Sequence, residues 1–171
     1  MIEITRRLYQ APRDDCLTPI LDTVKAATTS IRIIDYALVF PALVTVLVTK
    51  KAAGLDVRMI LDQTQAAGRS EKPEVAQLVA GGIPIMVGES EKSHIIHDKL
   101  CLIDGNVLIR GSFNFTLTAE LEDNYMELET GNLVFIQDFE AEFDSLWARI
   151  AAKHAQQTAP PQPTPAPPPT P

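Results

Sequence analysis

The feature that most constrains this fold is a change of rhythm near residue 95. Before it, helical and strand patterns alternate. Leu17, Ile20, Leu21, Val24 and Ala27 recur at helical spacing within residues 14–28, and a β-branched run, residues 30–39, follows as a strand. Pro41 opens a second helix that Lys50, Lys51 and Gly54 close, and residues 56–61 form a second strand. A third helix over residues 73–80 stops at Gly81-Gly82, and residues 83–87 are a short strand. Apolar strands alternating with helices imply parallel strands covered on both faces. After residue 95 the pattern becomes a hairpin. Two strands, residues 95–103 and 107–112, flank Asp104-Gly105-Asn106, whose Asp-Gly and Gly-Asn pairs are strong turn signals. A strand at 125–128 follows, and then a long helix that Asn132 can cap. The expected class is α/β, with a mixed β-sheet flanked by helices on both faces.

Composition sets the boundaries. Of 13 prolines, eight fall between Pro160 and Pro171. The chain divides into a globular domain, residues 1–157, and a proline-rich, disordered tail, residues 158–171. The net charge of -7 belongs to the globular part and argues against a non-specific polyanion binder. Cys16 and Cys101 fit neither a disulfide framework nor a zinc spacing, and both read as buried thiols. The N-terminus lacks the apolar run of a signal peptide, and residues 36–48 are too short an apolar stretch to span a bilayer. The expectation is a cytoplasmic protein with no transmembrane segment.

The chemistry concentrates in His97-Asp-Lys99-Leu-Cys-Leu-Ile-Asp104-Gly and Gly111-Ser112-Phe-Asn114-Phe. His97 and Lys99, two apart on a strand, share a face. With Gly105-Asn106 as the loop, Lys99 opposes Ser112 and His97 opposes Asn114. With Asp104-Gly105 as the loop, His97 opposes Ser112 and Lys99 opposes Arg110. Either register gathers an imidazole and an ammonium beside polar residues of the second strand. That set suits a phosphodiester: Lys99 neutralises oxygens, Ser112 and Asn114 donate to them, and His97 works near neutral pH. Asp104 lies about 23 Å from His97 along a strand, at 3.3 Å per residue, so it cannot orient that imidazole. Its local role is to accept backbone N–H groups in the turn. Glu120, Glu122, Asp123 and Glu127 are the candidates to support His97.

These residues closely resemble the HKD signature of the phospholipase D superfamily: His97-X-Lys99-X4-Asp104-Gly, then Gly111-Ser112-X-Asn114. Residues 30–37 resemble the first core strand of that family, residues 54–62 its second, and Phe139, Phe143 and Trp147 fit its closing helix. The resemblance covers about residues 14–150 and carries Asp104 with the catalytic motif. One HKD copy is present, as in the small bacterial nucleases of the family, which build one site at a two-fold dimer interface. The resemblance therefore implies a homodimer and a metal-independent, cofactor-free reaction. His97 of one subunit would form a phosphohistidine, and that of the other would act as acid and base. Lys99, Ser112 and Asn114 would hold the phosphoryl group. Relatives place a Glu-Asn pair after the asparagine. Here Asp123-Asn124 aligns best, with Glu122 as the second choice for the carboxylate that supports His97. The expected activity is endonucleolytic cleavage of DNA or RNA. A phospholipase D or cardiolipin hydrolase activity is the alternative, and a non-catalytic nucleic-acid-binding or scaffold subunit is a third reading.

Overall fold

The computed structural model describes residues 3–158. The proline-rich stretch assigned to 158–171 lies, beyond Thr158, outside the described residues. One seven-stranded mixed sheet organises the chain. Its strands are β1 (Thr5–Ala11), β2 (Ser30–Asp35), β3 (Asp56–Asp62), β4 (Ile85–Gly88), β5 (Lys99–Ile103), β6 (Val107–Gly111) and β7 (Asn124–Thr130), in the order β1-β7-β6-β5-β2-β3-β4. The expected parallel part is β2, β3 and β4, and β5 joins β2 antiparallel.

Helices cover both faces, as expected. Helices α1 (Leu17–Ala26), α2 (Pro41–Ala52) and α4 (Lys72–Ala80) pack on one side, where Ile20, Val24, Leu43, Leu47 and Leu78 meet Ile31, Ile33, Val57, Met59, Cys101 and Ile109. The long α5 (Leu133–Thr158) covers the other, where Ile136, Phe143, Leu146 and Ile150 meet Ile34, Ile60, Leu100, Leu102 and Leu108. Strand residues alternate between these two cores, as the pleat requires. Cys16 and Cys101 are buried free thiols. Among the described residues, no helix is long and apolar enough to cross a membrane.

Several expectations need correction. The helix expected at 14–28 is shorter, and a one-turn helix, α3 (Gln63–Ala66), follows β3 directly. Strand β1 has no counterpart in the sequence reading. It is an edge strand with five of seven residues exposed, so it carries no clear apolar pattern. Asn132 does not cap α5 with its side chain, which donates instead to Glu129 Oε1 at 2.6 Å.

The hairpin correction matters most for the site. Ile103 pairs with Val107 and Leu100 with Arg110, so the loop has three residues, Asp104, Gly105 and Asn106. Neither two-residue register occurs, and Lys99 does not oppose Ser112 or Arg110. Asp104 and Gly105 both take left-handed conformations, with φ of 54° and 64°, which close the longer turn. The strand expected from 95 begins only at Lys99. His97 therefore precedes the strand, and shared strand pleating does not set its orientation.

Candidate active site

The sheet brings Lys99 to the C-terminal ends of β2 and β3. Ligands of open α/β sheets bind outside such strand ends. Lys99 opposes Asp35 in the β2–β5 ladder. Both are buried, at 5% and 0% exposure. The Lys99 ammonium donates to the His97 carbonyl oxygen at 2.5 Å and sits 5.1 Å from the Tyr36 ring centroid. The His97 imidazole, on an exposed residue, meets the same ring edge-on at 5.0 Å. Gln65 Nε2 donates to the Tyr36 hydroxyl at 2.8 Å and fixes the ring. Burial lowers the Lys99 pKa, and the nearby Asp35, Asp98 and Asp62 carboxylates oppose that fall. Burial pushes Asp35 well above the usual carboxylate range, against the Phe115 amide and the Lys99 charge. An ammonium has three N–H donors, so one carbonyl partner leaves donors for a bound oxyanion.

The second arm begins where β6 ends. A Cβ on Gly111 would lie 2.2 Å from the Tyr125 carbonyl oxygen, so only glycine lets the chain pass β7 this closely. Ser112 ties the two strands together. Its hydroxyl donates to Asn124 Oδ1 at 3.0 Å and accepts from the Tyr125 amide at 3.1 Å. Phe113 and Phe115, each 1% exposed, anchor the segment on either side of half-buried Asn114. Asn114 Oδ1 is buried without a hydrogen-bond partner. That oxygen is an acceptor and calls for a donor, while Nδ2 of the same amide is the atom able to donate to an oxyanion.

The acidic residues separate by position. Asp104 lies at the far end of β5, where its carboxylate accepts from the amides of Thr28, Thr29 and Ser30 and from the hydroxyls of Thr28 and Thr29. Partial burial would raise its pKa, but the amides of Ser30, Thr29 and Thr28 outweigh that and hold it well below the usual range. Its expected turn role is what the geometry provides, and it stands apart from His97 and Lys99. Asp123 is exposed and borders a different depression, with Gln10, Pro12 and Arg13. Glu122 accepts from Asn124 Nδ2 at 3.2 Å, and Glu120 accepts from the Cys16 amide at 3.0 Å. Within one chain, neither Asp123 nor Glu122 reaches the recess that His97 lines. Glu127 does line it, but is paired with Arg110 at 2.8 Å.

Two open depressions flank His97. One, of about 380 Å³, has Lys99, Arg110, Gly111, Tyr125, Glu127 and Phe139 in its wall. The other, of about 430 Å³, is bordered by Ser90, Ile95, Glu142 and Arg149. Among the described residues, no group of three or more His, Cys, Asp or Glu side chains could hold a metal ion. Sequence reasoning missed Tyr36, although its place just past a parallel strand was a usable signal. It also missed Asp35, read inside the strand expected at 30–39, which ends at Asp35, and Asp62, which lies just past the strand expected at 56–61.

Comparison with known proteins places the fold in a family. A family model described as "Cardiolipin synthase, PLD-like domain" matches residues 20–147. The mitochondrial cardiolipin hydrolase of Xenopus tropicalis is 25% identical over 134 residues, covering 78% of this chain and 62% of that protein. A phospholipase D of Rickettsia bellii is 28% identical over 129 residues, covering 75% of this chain and 59% of that protein. The chain thus spans about three fifths of these curated relatives. Among solved structures, the phospholipase D family member Nuc from Salmonella typhimurium superposes with a TM-score of 0.79 at 24% identity. That match covers 85% of this chain and 95% of Nuc. The family model takes in the sheet from β2 to β7, both arms of the site and most of α5, and the chain belongs to the family of PLD-like domains.

Proposed function

We propose that the chain is a metal-independent phosphodiesterase acting on nucleic acid as a cytoplasmic homodimer. The observation that carries this reading is the placement, at one end of the sheet, of exposed His97, buried Lys99 and half-buried Asn114, whose Oδ1 has no partner inside the fold. A ring nitrogen of His97 attacks phosphorus, and the bond to the leaving oxygen breaks. The partner's His97 protonates that oxygen. It then takes a proton from water as the water attacks phosphorus, and the phosphorus–nitrogen bond returns its electrons to the first imidazole. Lys99 and Asn114 hold the phosphoryl oxygens throughout. Among the described residues, His97 is the sole histidine lining either flanking depression, so the second imidazole comes from a second copy. A two-fold interface does this when one patch meets itself.

The open depressions on both sides of His97 leave room for a substrate that continues past the scissile phosphate in both directions, although Arg110 is paired with Glu127 and Glu91, Asp98 and Glu142 share the second depression with Arg149. A lipid substrate has its own support. Leu117 and Leu121, just beyond Asn114, are 50% and 79% exposed, and the relatives carry phospholipase and cardiolipin hydrolase names. Incubation in EDTA with single-stranded DNA, RNA or cardiolipin vesicles decides among these. Cleavage of DNA or RNA is expected. Cleavage of cardiolipin alone would establish the lipid reading, and cleavage of none by a persistent dimer would remove the enzymatic one. A strict monomer with full activity would remove the shared site.

A further inference from the structure

Two aspartates outside the motif stand directly behind it. Adjacent parallel strands β2 and β3 each end on a fully buried carboxylate, Asp35 and Asp62, both at 0% exposure. Each reaches a backbone amide next to a motif residue. Asp62 Oδ2 accepts from the Ile96 amide at 2.7 Å, one residue before His97. Asp35 Oδ2 accepts from the Phe115 amide at 2.8 Å, one residue after Asn114. Ile96 and Phe115 are buried, at 3% and 1%, so neither arm is loosely held.

A purely structural account covers part of this. Asp62 Oδ1 accepts from the amide and hydroxyl of Thr64 and so caps α3. Capping explains that oxygen and leaves the bond to Ile96 unexplained. Asp35 is harder to explain by folding alone. Its Oδ1 is buried with no partner, and burying a carboxylate is costly unless its charge is used. A neutral asparagine would accept from Phe115 at lower cost. What a carboxylate adds is charge, and Lys99 lies directly across the ladder.

We propose that Asp35 and Asp62 are the positioning residues of the site: Asp62 sets His97 through Ile96, while Asp35 sets Asn114 through Phe115 and sustains the charge of Lys99. This rests on the reading that His97, Lys99 and Asn114 form the phosphodiester-cleaving set. The two aspartates then divide the labour, one serving the nucleophile and one the phosphate.

The test uses the full chain, bis(p-nitrophenyl) phosphate as substrate and inorganic phosphate as ligand. Asp35→Asn is expected to weaken phosphate binding and raise KM by about 10-fold, with kcat within about 3-fold, because without the Asp35 carboxylate less of Lys99 stays charged to meet the bound oxyanion. Asp62→Asn is expected to lower kcat by about 10-fold or more and to leave phosphate affinity within about 2-fold. Thr64→Val removes only the hydroxyl donor to Asp62 Oδ1 and keeps the capping amide, so it should lower the melting temperature slightly without lowering kcat. Asp56→Asn, at the opposite end of β3, should change neither kcat nor phosphate affinity. Unchanged phosphate affinity in Asp35→Asn overturns the Asp35 assignment. A kcat loss in Asp62→Asn no larger than in Thr64→Val overturns the Asp62 assignment. If the wild type binds phosphate but cleaves nothing, the functional reading fails by itself. Phosphate affinity then still decides on Asp35. The His97 ring resonances, expected to shift in Asp62→Asn and not in Thr64→Val, decide on Asp62. A wild type that neither binds nor cleaves overturns both readings.

Discussion

The two ends of strand β5 are five residues apart and treat their polar groups in opposite ways. At the Asp104 end a carboxylate accepts five hydrogen bonds, all between 2.8 and 2.9 Å, from Thr28, Thr29 and Ser30. At the Lys99 end the polar groups are buried and incompletely met. Lys99 has a single carbonyl acceptor, while Asp35 Oδ1, Asn114 Oδ1 and both Glu71 oxygens have none. Native folds leave few buried polar groups unmet. Several at one end of one strand mark where a ligand completes the structure. The saturated end serves the fold, and the unmet end is where the proposed chemistry lies.

Substitutions at the two ends should therefore separate activity from stability. His97→Ala gives the largest effect. Loss of the nucleophile should reduce kcat by about 10⁴-fold or more, while the exposed imidazole contributes little to folding. Initial rates and a melting curve check both halves, and a variant retaining a tenth of the activity would remove His97 from the mechanism. Lys99→Met comes next. It should cost about 10² to 10³-fold in kcat/KM through lost oxyanion stabilisation. Stability should stay within about 1 kcal/mol, because the ammonium's burial cost disappears and Asp35 can take up a proton.

Asp104→Ala should invert the pattern. Five donors lose their acceptor, and a left-handed position with φ of 54° receives a residue that disfavours it. A loss of about 3 kcal/mol in urea unfolding is expected, with kcat per folded molecule within about 2-fold. The wild-type carboxylate is held low, so its contribution is present above the ordinary pKa of 3.8 and is lost as pH falls below that value. The gap between Asp104→Ala and the wild type should thus narrow in acid, down to the backbone cost that does not titrate. A kcat that fell with stability intact would place Asp104 in the chemistry after all.

The same contrast explains what the sequence could reveal. That Asp104 accepts backbone N–H groups and does not orient His97 was legible because a whole strand, Lys99–Ile103, lies between the two, whereas its donors, Thr28, Thr29 and Ser30, come from a distant loop that its own turn did not reveal. The alternation of helices and parallel strands was legible because β2 and β3 are apolar on both faces. The hairpin register was not, since Asp104, Gly105 and Asn106 all tolerate left-handed backbone and any two could have formed the loop. Strand β1 was missed because an edge strand that buries only Tyr9 and Ala11 leaves a faint pattern. The partners of the motif were hidden for another reason. Asp35 and Asp62 meet it across 80 and 34 residues of chain, and a polar residue ending an apolar strand looks the same whether it faces water or a buried amide.

Glu71 offers the smallest and most selective test of the contrast. It belongs to the unmet end: it is 2% exposed and carries two carboxylate oxygens without partners. Burial, with the Asp62 and Glu74 carboxylates adding to it, pushes its pKa up from 4.5 to about 7. Between those values the folded chain keeps a proton that the unfolded chain releases, so stability falls as pH rises through the window. Glu71→Gln removes that titration while keeping the shape. The variant should match the wild type near pH 4.5 and exceed it by about 2 kcal/mol at pH 8, as read from urea unfolding at several pH values. Asp104→Ala tilts the other way, its deficit being full at neutral pH and shrinking below pH 3.8. If the Glu71→Gln curve stayed parallel to the wild type from pH 4.5 to 8, the carboxyl would have a partner in solution. The unmet groups would then be confined to Lys99 and Asn114, proposed to hold the phosphate, and to Asp35 behind them.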